Sequence, residues 1–436
     1  MNKYSLYKDI GLEWMGEIPN HWVITKNRYG FRKYKNRKNV SNETKVLSLT
    51  TKGVKIKRNL NFGKSTESYI GHQLVEVGDV VFTPRDFDQT PILSDVSKYD
   101  GCISNLYIVD KTKQGVLNHF VNYYWYGLKY SVDYFKIFSH GMRYSFNRFQ
   151  FDEIPLLIPP PSEQQQIVSF LDDKTQKIDS LIQQKEKKIE LLKEKRTSLI
   201  NHVVTKGLDS NVEMKDSGVE WIGEIPSHYQ IGKLKHLCNE NQRSLSNSTD
   251  PNYELNYIEI SDVNSDGVIG NHTPYIFSES PSRCRRIVQK GDVIVSTVRT
   301  YLKSIGLIEE EVEDLICSTG FSVLTPNIEI NSKYLFYLLR TEWFISMVIS
   351  KSEGVSYPSI QSEKLMNINV VFCKLSEQQL IVEYLDKQTE EIETLIQLEQ
   401  KKIDTLKEYR QSLILNVVTG KIRVCKEDDS LSLTSQ

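Results

Sequence analysis

Residues 8–22 read KDIGLEWMGEIPNHW and residues 215–229 read KDSGVEWIGEIPSHY, identical at 10 of 15 positions. A longer repeat follows each signature at a distance. Residues 162–205 align without a gap to 376–419, with 26 of 44 positions identical, from the opening SEQQ to the closing VVT. The order is signature, variable block, long repeat, and then the same again, so the chain must fold as two half-molecules on a common frame. The blocks between, residues 23–161 and 230–375, barely resemble each other. A frame kept in duplicate around two diverged inserts is the layout of a reader with two independent specificities.

The long repeats are helical by pattern. Ser162 and Ser376 each follow an extended apolar stretch and precede Glu-Gln-Gln, which reads as an N-cap with a capping residue in the first turn. Beyond them Ile178, Ile182, Lys185, Ile189 and Leu192 recur at steps of four and three, as do Ile392, Ile396, Glu399, Ile403 and Leu406. That average spacing of about 3.5 residues is the seam of a left-handed coiled coil. The alternative, each helix lying on its own domain, is disfavoured because such a helix is roughly 65 Å long and outruns the block it would cover. Antiparallel pairing of the two copies would bring Lys185 and Glu399 together near the helix midpoints as an opposite-charge pair.

The variable blocks share sparse marks. Gly78-Asp79-Val80-Val81-Phe82 and Gly291-Asp292-Val293-Ile294-Val295 read as a turn feeding a buried strand, with Arg85 and Arg299 following where a loop would emerge. Residues 102–109 (CISNLYIV) and 317–324 (CSTGFSVL) read as a further strand, and 120–138 and 334–348 as aromatic-rich helices. Each block closes on Ser-x-Gly-x-x-Tyr, at Ser139-Gly141-Tyr144 and Ser352-Gly354-Tyr357, which fits either a turn required by the fold or a binding loop.

Charge separates the blocks. Residues 23–161 carry 21 Lys+Arg against 12 Asp+Glu, whereas 229–375 carry 14 against 17, although the whole chain nets −1. Arg28, Arg32, Lys33, Lys35, Arg37 and Lys38 stand among Tyr29, Phe31 and Tyr34 in a stretch with a single acid, a pattern suited to phosphate contact or to a solvated face. Arg143, Tyr144, Asn147 and Arg148 crowd one segment, and Arg and Asn make paired hydrogen bonds to guanine and adenine edges. The second block concentrates its cations in Arg283, Arg285 and Arg286, and in Arg299 and Lys303 beside Tyr301, with Tyr357 further on.

Several functional classes find no support. The cysteines are scattered, with no CxxC and no His at zinc-ligand spacing, so neither a disulfide frame nor a metal site is expected. No signal segment or run of about 18 apolar residues is present, and a cytoplasmic location is expected. No GxxxxGK[ST] loop, no HExxH and no base-methylation loop occurs; Pro159-Pro160-Pro161 lacks the Asn or Asp and the aromatic that such a loop needs.

The signature G-x-E-W-x-G-E-I-P-x-H-[WY], the opening S-E-Q-Q-x-I-V with its later T-x-x-I-[DE], and their duplication resemble the specificity subunit of type I restriction–modification systems over the whole chain. The resemblance implies an α/β fold: two α/β target-recognition domains joined by a pseudo-symmetric antiparallel coiled coil of two long helices. It divides the chain into an N-terminal signature (1–22), recognition domain 1 (23–161), central helix (162–206), repeated signature (207–229), recognition domain 2 (230–375), C-terminal helix (376–420) and a polar tail (421–436). It further implies a non-catalytic subunit that reads a bipartite, asymmetric duplex DNA target, one half-site per domain. Two modification (methyltransferase) subunits would use S-adenosylmethionine, and restriction (translocase/endonuclease) subunits would use ATP and Mg. A coiled-coil scaffold without DNA specificity is the competing expectation. The repeated Trp14 and Trp221 are expected to mark the junction of domain, helix and partner, or plain core packing.

Overall fold

The structure, a computed structural model, describes residues 3–12, 15–33, 37–58, 68–85, 92–132, 135, 144–270 and 272–424. It divides into two compact units, Met1–Glu186 with Lys401–Gln436, and Lys187–Gln400. Unit 1 contains β1 (Tyr7–Asp9), β2 (Glu17–Pro19), β3 (Val23–Lys26), α1 (Asn27–Gly30), β4 (Phe31–Lys33), β5 (Leu47–Thr50), β6 (Gly53–Ile56) and β7 (Gln73–Val75). There follow β8 (Val80–Phe82), β9 (Ser94–Val96), β10 (Gly101–Ile103), β11 (Ile108–Thr112), α2 (Asn118–Val132), α3 (Arg148–Glu153), β12 (Pro155–Ile158) and the long α4 (Pro161–Lys206). Unit 2 holds β13 (Met214–Asp216), β14 (Glu224–Pro226), β15 (Gln230–Lys233), β16 (Cys238–Glu240), β17 (Glu254–Ile258), β18 (Thr273–Ile276), β19 (Cys284–Ile287) and β20 (Val293–Ser296). It continues with β21 (Ile305–Leu307), β22 (Leu315–Ser318), β23 (Phe321–Pro326), α5 (Ser332–Leu339), α6 (Glu342–Ser350), α7 (Ser362–Met366), β24 (Asn369–Phe372) and the long α8 (Leu375–Val418). The first part of α4 belongs to unit 1 and its remainder to unit 2; α8 does the reverse.

The diverged blocks fold alike. Unit 1 carries a sheet in the order β4-β11-β8-β9 and unit 2 one in the order β16-β23-β20-β21, every neighbour antiparallel. Each block opens and closes on one short ladder, β3 with β12 and β15 with β24, so its two ends leave the frame side by side. The cores are filled by different side chains. Unit 1 packs rings, with Phe31 stacked on Trp125 at 5.3 Å and Phe82 tilted against Phe151 at 4.9 Å. Unit 2 mixes aliphatics such as Val293, Val295, Leu324 and Leu335 with Tyr334, Trp343 and Phe344. Either filling removes a comparable apolar face from water, and that is what a sheet covered by helices requires.

The conserved segments hold the frame. In unit 1 the Glu163 carboxylate, in the first turn of α4, accepts from Trp22 Nε1 (3.0 Å) and bonds His21 (2.9 Å). In unit 2 Glu377, in the first turn of α8, likewise meets Tyr229 OH (3.3 Å) and His228 (2.9 Å). The next residue faces the block. Gln164 Oε1 accepts from Leu117 N–H (2.7 Å), and its amide donates to the carbonyls of Gly115 (2.8 Å) and Pro159 (2.7 Å). Gln378 does the same with Asn331 N–H (2.8 Å) and the carbonyls of Glu329 (3.0 Å) and Cys373 (2.8 Å). About two turns further on, Tyr123 donates to Asp172 (2.7 Å) and Tyr337 to Asp386 (2.8 Å). These identical contacts explain the SEQQ and L-D-x-x-T repeats.

The long helices run antiparallel within each unit. In unit 2 Lys188 pairs with Glu399 and Arg196 with Glu393, both at 3.0 Å, so climbing α4 descends α8. In unit 1 Gly420, just past the end of α8, lies against Pro19 and Trp22, and Trp22 is bonded to the start of α4. The expected seam is withdrawn from solvent: Ile178, Ile182, Ile392, Ile396, Glu399 and Ile403 are buried and Lys185, Ile189, Leu192 and Leu406 half-buried.

Glu399 bonds Lys188, about one turn past Lys185. Three expectations need correction. Neither helix is capped by Ser162 or Ser376, which lie inside the first turn; the helices begin at Pro161 and Leu375. The segments 102–109 and 317–324 are each two strands broken by a serine turn, in which Ser104 Oγ accepts from Leu106 N–H and Ser318 Oγ from Gly320 N–H. The run 334–348 is two helices, α5 and α6, interrupted at Arg340 and Thr341. The signature tryptophan Trp221 is 57% exposed in the β13–β14 turn, so core packing does not account for it; Trp14 lies outside the described residues. The fully buried aromatics of the signatures are Trp22 and Tyr229 instead.

Candidate nucleic-acid interface

The chain leaves β20 through residues 297–304 and returns through 353–360, and backbone bonds lock these two loops together. Arg299 N–H donates to Pro358 O (2.7 Å), Ile360 N–H to Thr297 O (2.9 Å), and the Thr300 and Ser352 hydroxyls bond at 2.8 Å. Arg299 (φ +51°) and Lys303 (φ +58°) both adopt the left-handed conformation, on either side of a single 3₁₀ turn at Thr300–Leu302. Asn241 and Asp314, the other described non-glycine residues with positive φ, are types that tolerate it; arginine and lysine do so at a cost of order 1 kcal/mol each. Strain of this kind persists only where the surroundings impose it. The imposed shape lays the Arg299 guanidinium over the Tyr357 ring at 4.7 Å and exposes Tyr301, Leu302 and Lys303.

Arg283 joins the same edge. Its carbonyl accepts from Thr319 N–H (2.8 Å), and the neighbouring Gly320 carbonyl accepts from Thr297 N–H (2.8 Å). Of the residues expected to bind in the second block, the structure therefore brings together Arg283, Arg299, Tyr301, Lys303 and Tyr357. Arg285 and Arg286 face elsewhere: Arg285 stacks on Phe277 at 4.7 Å and donates to the Cys284 carbonyl, while Arg286 lies half-buried in β19 with its Nε enclosed. Both are fold residues by geometry.

Unit 1 repeats the arrangement. The loop after β8 pairs with the segment before α3, with Phe146 N–H donating to Pro84 O (2.9 Å) and Arg85 bridging Ser145 beside the half-buried Tyr144. Exposed Arg85, Asn105 and Asn147 and half-buried Tyr107 line a groove of about 400 Å³ there; Asn105 accepts from Lys38 at 3.2 Å and donates to the Gly71 carbonyl at 3.1 Å. Arg32 is exposed on β4. Lys35 and Arg143 lie outside the described residues, as does the side chain of Lys33.

The remaining candidates of the first block are engaged by the protein itself. Arg148 makes a two-pronged bond to the buried Asp110 (2.9 and 2.6 Å) and a third to Asp152 (2.9 Å). Burial works to lower its pKa, but the Asp110 bonds and the two carboxylate charges outweigh burial and raise it. Asn147 caps α3 in a reciprocal box with Gln150. Arg28 pairs with Glu153, and Arg37 with Glu76 and Asp79. Arg37 has a counterpart in Arg243, which pairs with Asp292, so each Gly-Asp-Val turn keeps a cation on its buried aspartate. Arg28, Arg37 and Arg148 are thus paired with carboxylates of the protein, while Asn147 caps α3 and stays exposed on the groove.

Asn105, Leu302 and Val355 were not singled out from sequence. Their signal was weak: Asn105 sat inside an apparent strand, and the other two are apolar residues in loops. Among the described residues, no group of three or more His, Cys, Asp or Glu is placed to hold a metal ion, and no helix is long and apolar enough to cross a membrane. Burial pushes the thiols of Cys238 and Cys373 up to about 12 and that of Cys284 to about 11, so these cysteines stay protonated in the core.

The type I restriction modification DNA specificity domain matches this chain over residues 56–191 and 226–408. The chain belongs to that family. It is 25% identical over 309 residues to the type I restriction enzyme MjaVIII specificity subunit of Methanocaldococcus jannaschii, covering 69% of this chain and 70% of that one. A putative MjaX specificity subunit of the same organism is 24% identical over 290 residues, 64% of this chain and 62% of the relative. Among solved structures, a chain described in work on assembly and conformational transition of the type I R-M system superposes with a TM-score of 0.68 at 14% identity, covering 93% of this chain and 99% of that one. The HsdS subunit of Thermoanaerobacter tengcongensis gives 0.50 at 15%, covering 95% and 100%. The fold is accordingly that of two α/β domains joined by long helices, and the role is DNA sequence specificity.

Proposed function

We propose that the chain is the specificity subunit of a type I restriction–modification complex in which each unit reads one half of a split, asymmetric duplex target. The observation that carries this is the duplicated loop pair: after the third strand of each four-stranded sheet, a cation-bearing loop is tied to the segment returning toward the frame. Arg85 in unit 1, and Arg299 with Tyr301 in unit 2, are the base readers in this reading. Arg32, Lys38, Arg283 and Lys303 contact phosphates. Phosphate contacts position the protein and base contacts specify the sequence. Methyl transfer and cleavage belong to partners: two modification subunits using S-adenosylmethionine, and restriction subunits using ATP and Mg. The exposed Trp221 in its repeated signature is a surface for the modification subunit.

The test is binding or methylation on duplexes altered in one half-site at a time. Changing Arg299 and Tyr301 to alanine should cost about 1–3 kcal/mol per lost base contact at one half-site and leave preference at the other unchanged. Changing Arg32 and Lys38 should weaken binding evenly on all sequences and reduce its salt dependence. A variant of Arg299 that loses discrimination in both halves together would show that the units are not separate readers.

A further inference from the structure

The loop pair of unit 2 ends in an apolar side chain, Val355, that nothing above explains. Val355 is 102% exposed, Tyr357 65% and Tyr301 51%, with Leu302 beside them also exposed. Single apolar residues on a surface need no explanation, but four on two mutually bonded loops form a patch. Gly354 has φ +104°, a conformation a side chain rarely adopts, and a Cβ there would press on the Tyr357 carbonyl at 3.2 Å. The turn is therefore narrow at its tip, and it carries a β-branched apolar side chain into solvent. Cations flank it, Arg299 stacked on Tyr357 and Lys303 exposed on the facing loop.

An apolar tip between cations fits one feature of duplex DNA. In the major groove, the thymine C5-methyl is the apolar group on the base-pair edges, and the phosphates lie on either side. Resting on the reading of unit 2 as a half-site reader, we infer that Val355 specifies a thymine by packing its methyl groups on the thymine 5-methyl, while Arg299 and Lys303 hold the loop in the groove. Gly354 lets the backbone approach closely enough for so short a side chain to reach. The half-site read by unit 2 therefore contains an A·T pair at a position where no hydrogen-bonding side chain of this loop is required.

The probe is a duplex carrying the site that this chain directs for methylation, mapped base by base, together with duplexes in which each thymine of the second half-site is replaced singly by deoxyuridine. The full chain is tested in complex with its modification subunits. One such replacement should weaken binding about four-fold, the value of one buried methyl group. Val355→Ala should bind the unmodified site more weakly and cut that penalty to under two-fold at the same position. The inference is overturned if no thymine lies in that half-site, if none responds to loss of its methyl, or if Val355→Ala keeps the full penalty. It is also overturned if Val355→Ala leaves DNA binding intact but releases the modification subunits, since the tip would then be a protein contact. Arg299→Ala separates the two levels. Loss of second-half discrimination in that variant with no methyl sensitivity retains the functional reading and rejects only the thymine contact, whereas no loss rejects the reading itself.

Discussion

Arg148 has the donors a base reader needs, and its surroundings decide that it is not one. Asp110 is buried, and Arg148 meets it with two parallel bonds. Removing the arginine leaves that carboxylate uncompensated, so Arg148→Ala should destabilise unit 1 by about 3 kcal/mol. Melting of the single variants and of Arg148→Ala with Asp110→Ala measures this; the pair should recover part of the loss, and two independent, additive losses would refute the coupling. Half of this was legible in the sequence. Asp152 stands four residues along, the spacing of a helical ion pair, and Asn147 with Gln150 has the spacing of a capping box. Asp110 is 38 residues away, and only the pairing of β11 with β8 brings it near. The loop residues Arg299, Tyr301, Lys303 and Tyr357 were legible for the converse reason: loops after strand ends are solvated, and local pattern decides their exposure.

At the scale of elements, the long helices were plain from periodicity, while their starts were misplaced by one residue. Pro161 takes the first helical position, where its fixed φ and missing N–H cost nothing, and this moves Ser162 into the turn. The identity of SEQQ in both copies signalled a shared task without revealing it, because the partners of Gln164 and Gln378 are backbone groups. Gln164→Leu would strand the Leu117 N–H and two carbonyls, each a buried polar group costing about 1–3 kcal/mol when unsatisfied. Hydrogen exchange should show protection lost around residues 115–117 and the first turn of α4, with 329–331 unaffected. Gln378→Leu should give the mirror result. Loss of protection spread over both units by either change would mean that the glutamine does not act locally.

For the whole molecule, the question is how two blocks diverged so far while docking on one frame. The frame holds each block largely through groups that any sequence supplies. The backbone of Asn27 donates to Ile154 O (2.9 Å) and that of Leu234 to Ile368 O (3.0 Å), closing each block with the same bond. The two glutamines read main-chain atoms, and the tyrosine–aspartate bonds recur in both units. Side chains inside a block are then free to change together, as the differently filled cores of the two units have done. A chain in which residues 234–368 replace 27–154, so that the second block stands in both places, should accordingly fold. Its melting point should fall by only a few degrees, because the lost contacts are those between block side chains and the frame. It should no longer prefer the first half-site and should favour targets carrying the second half-sequence twice. Selection from a randomised duplex library measures this directly. Continued preference for the first half-site would place specificity in the frame rather than the blocks, and failure to fold would show that docking depends on block side chains after all.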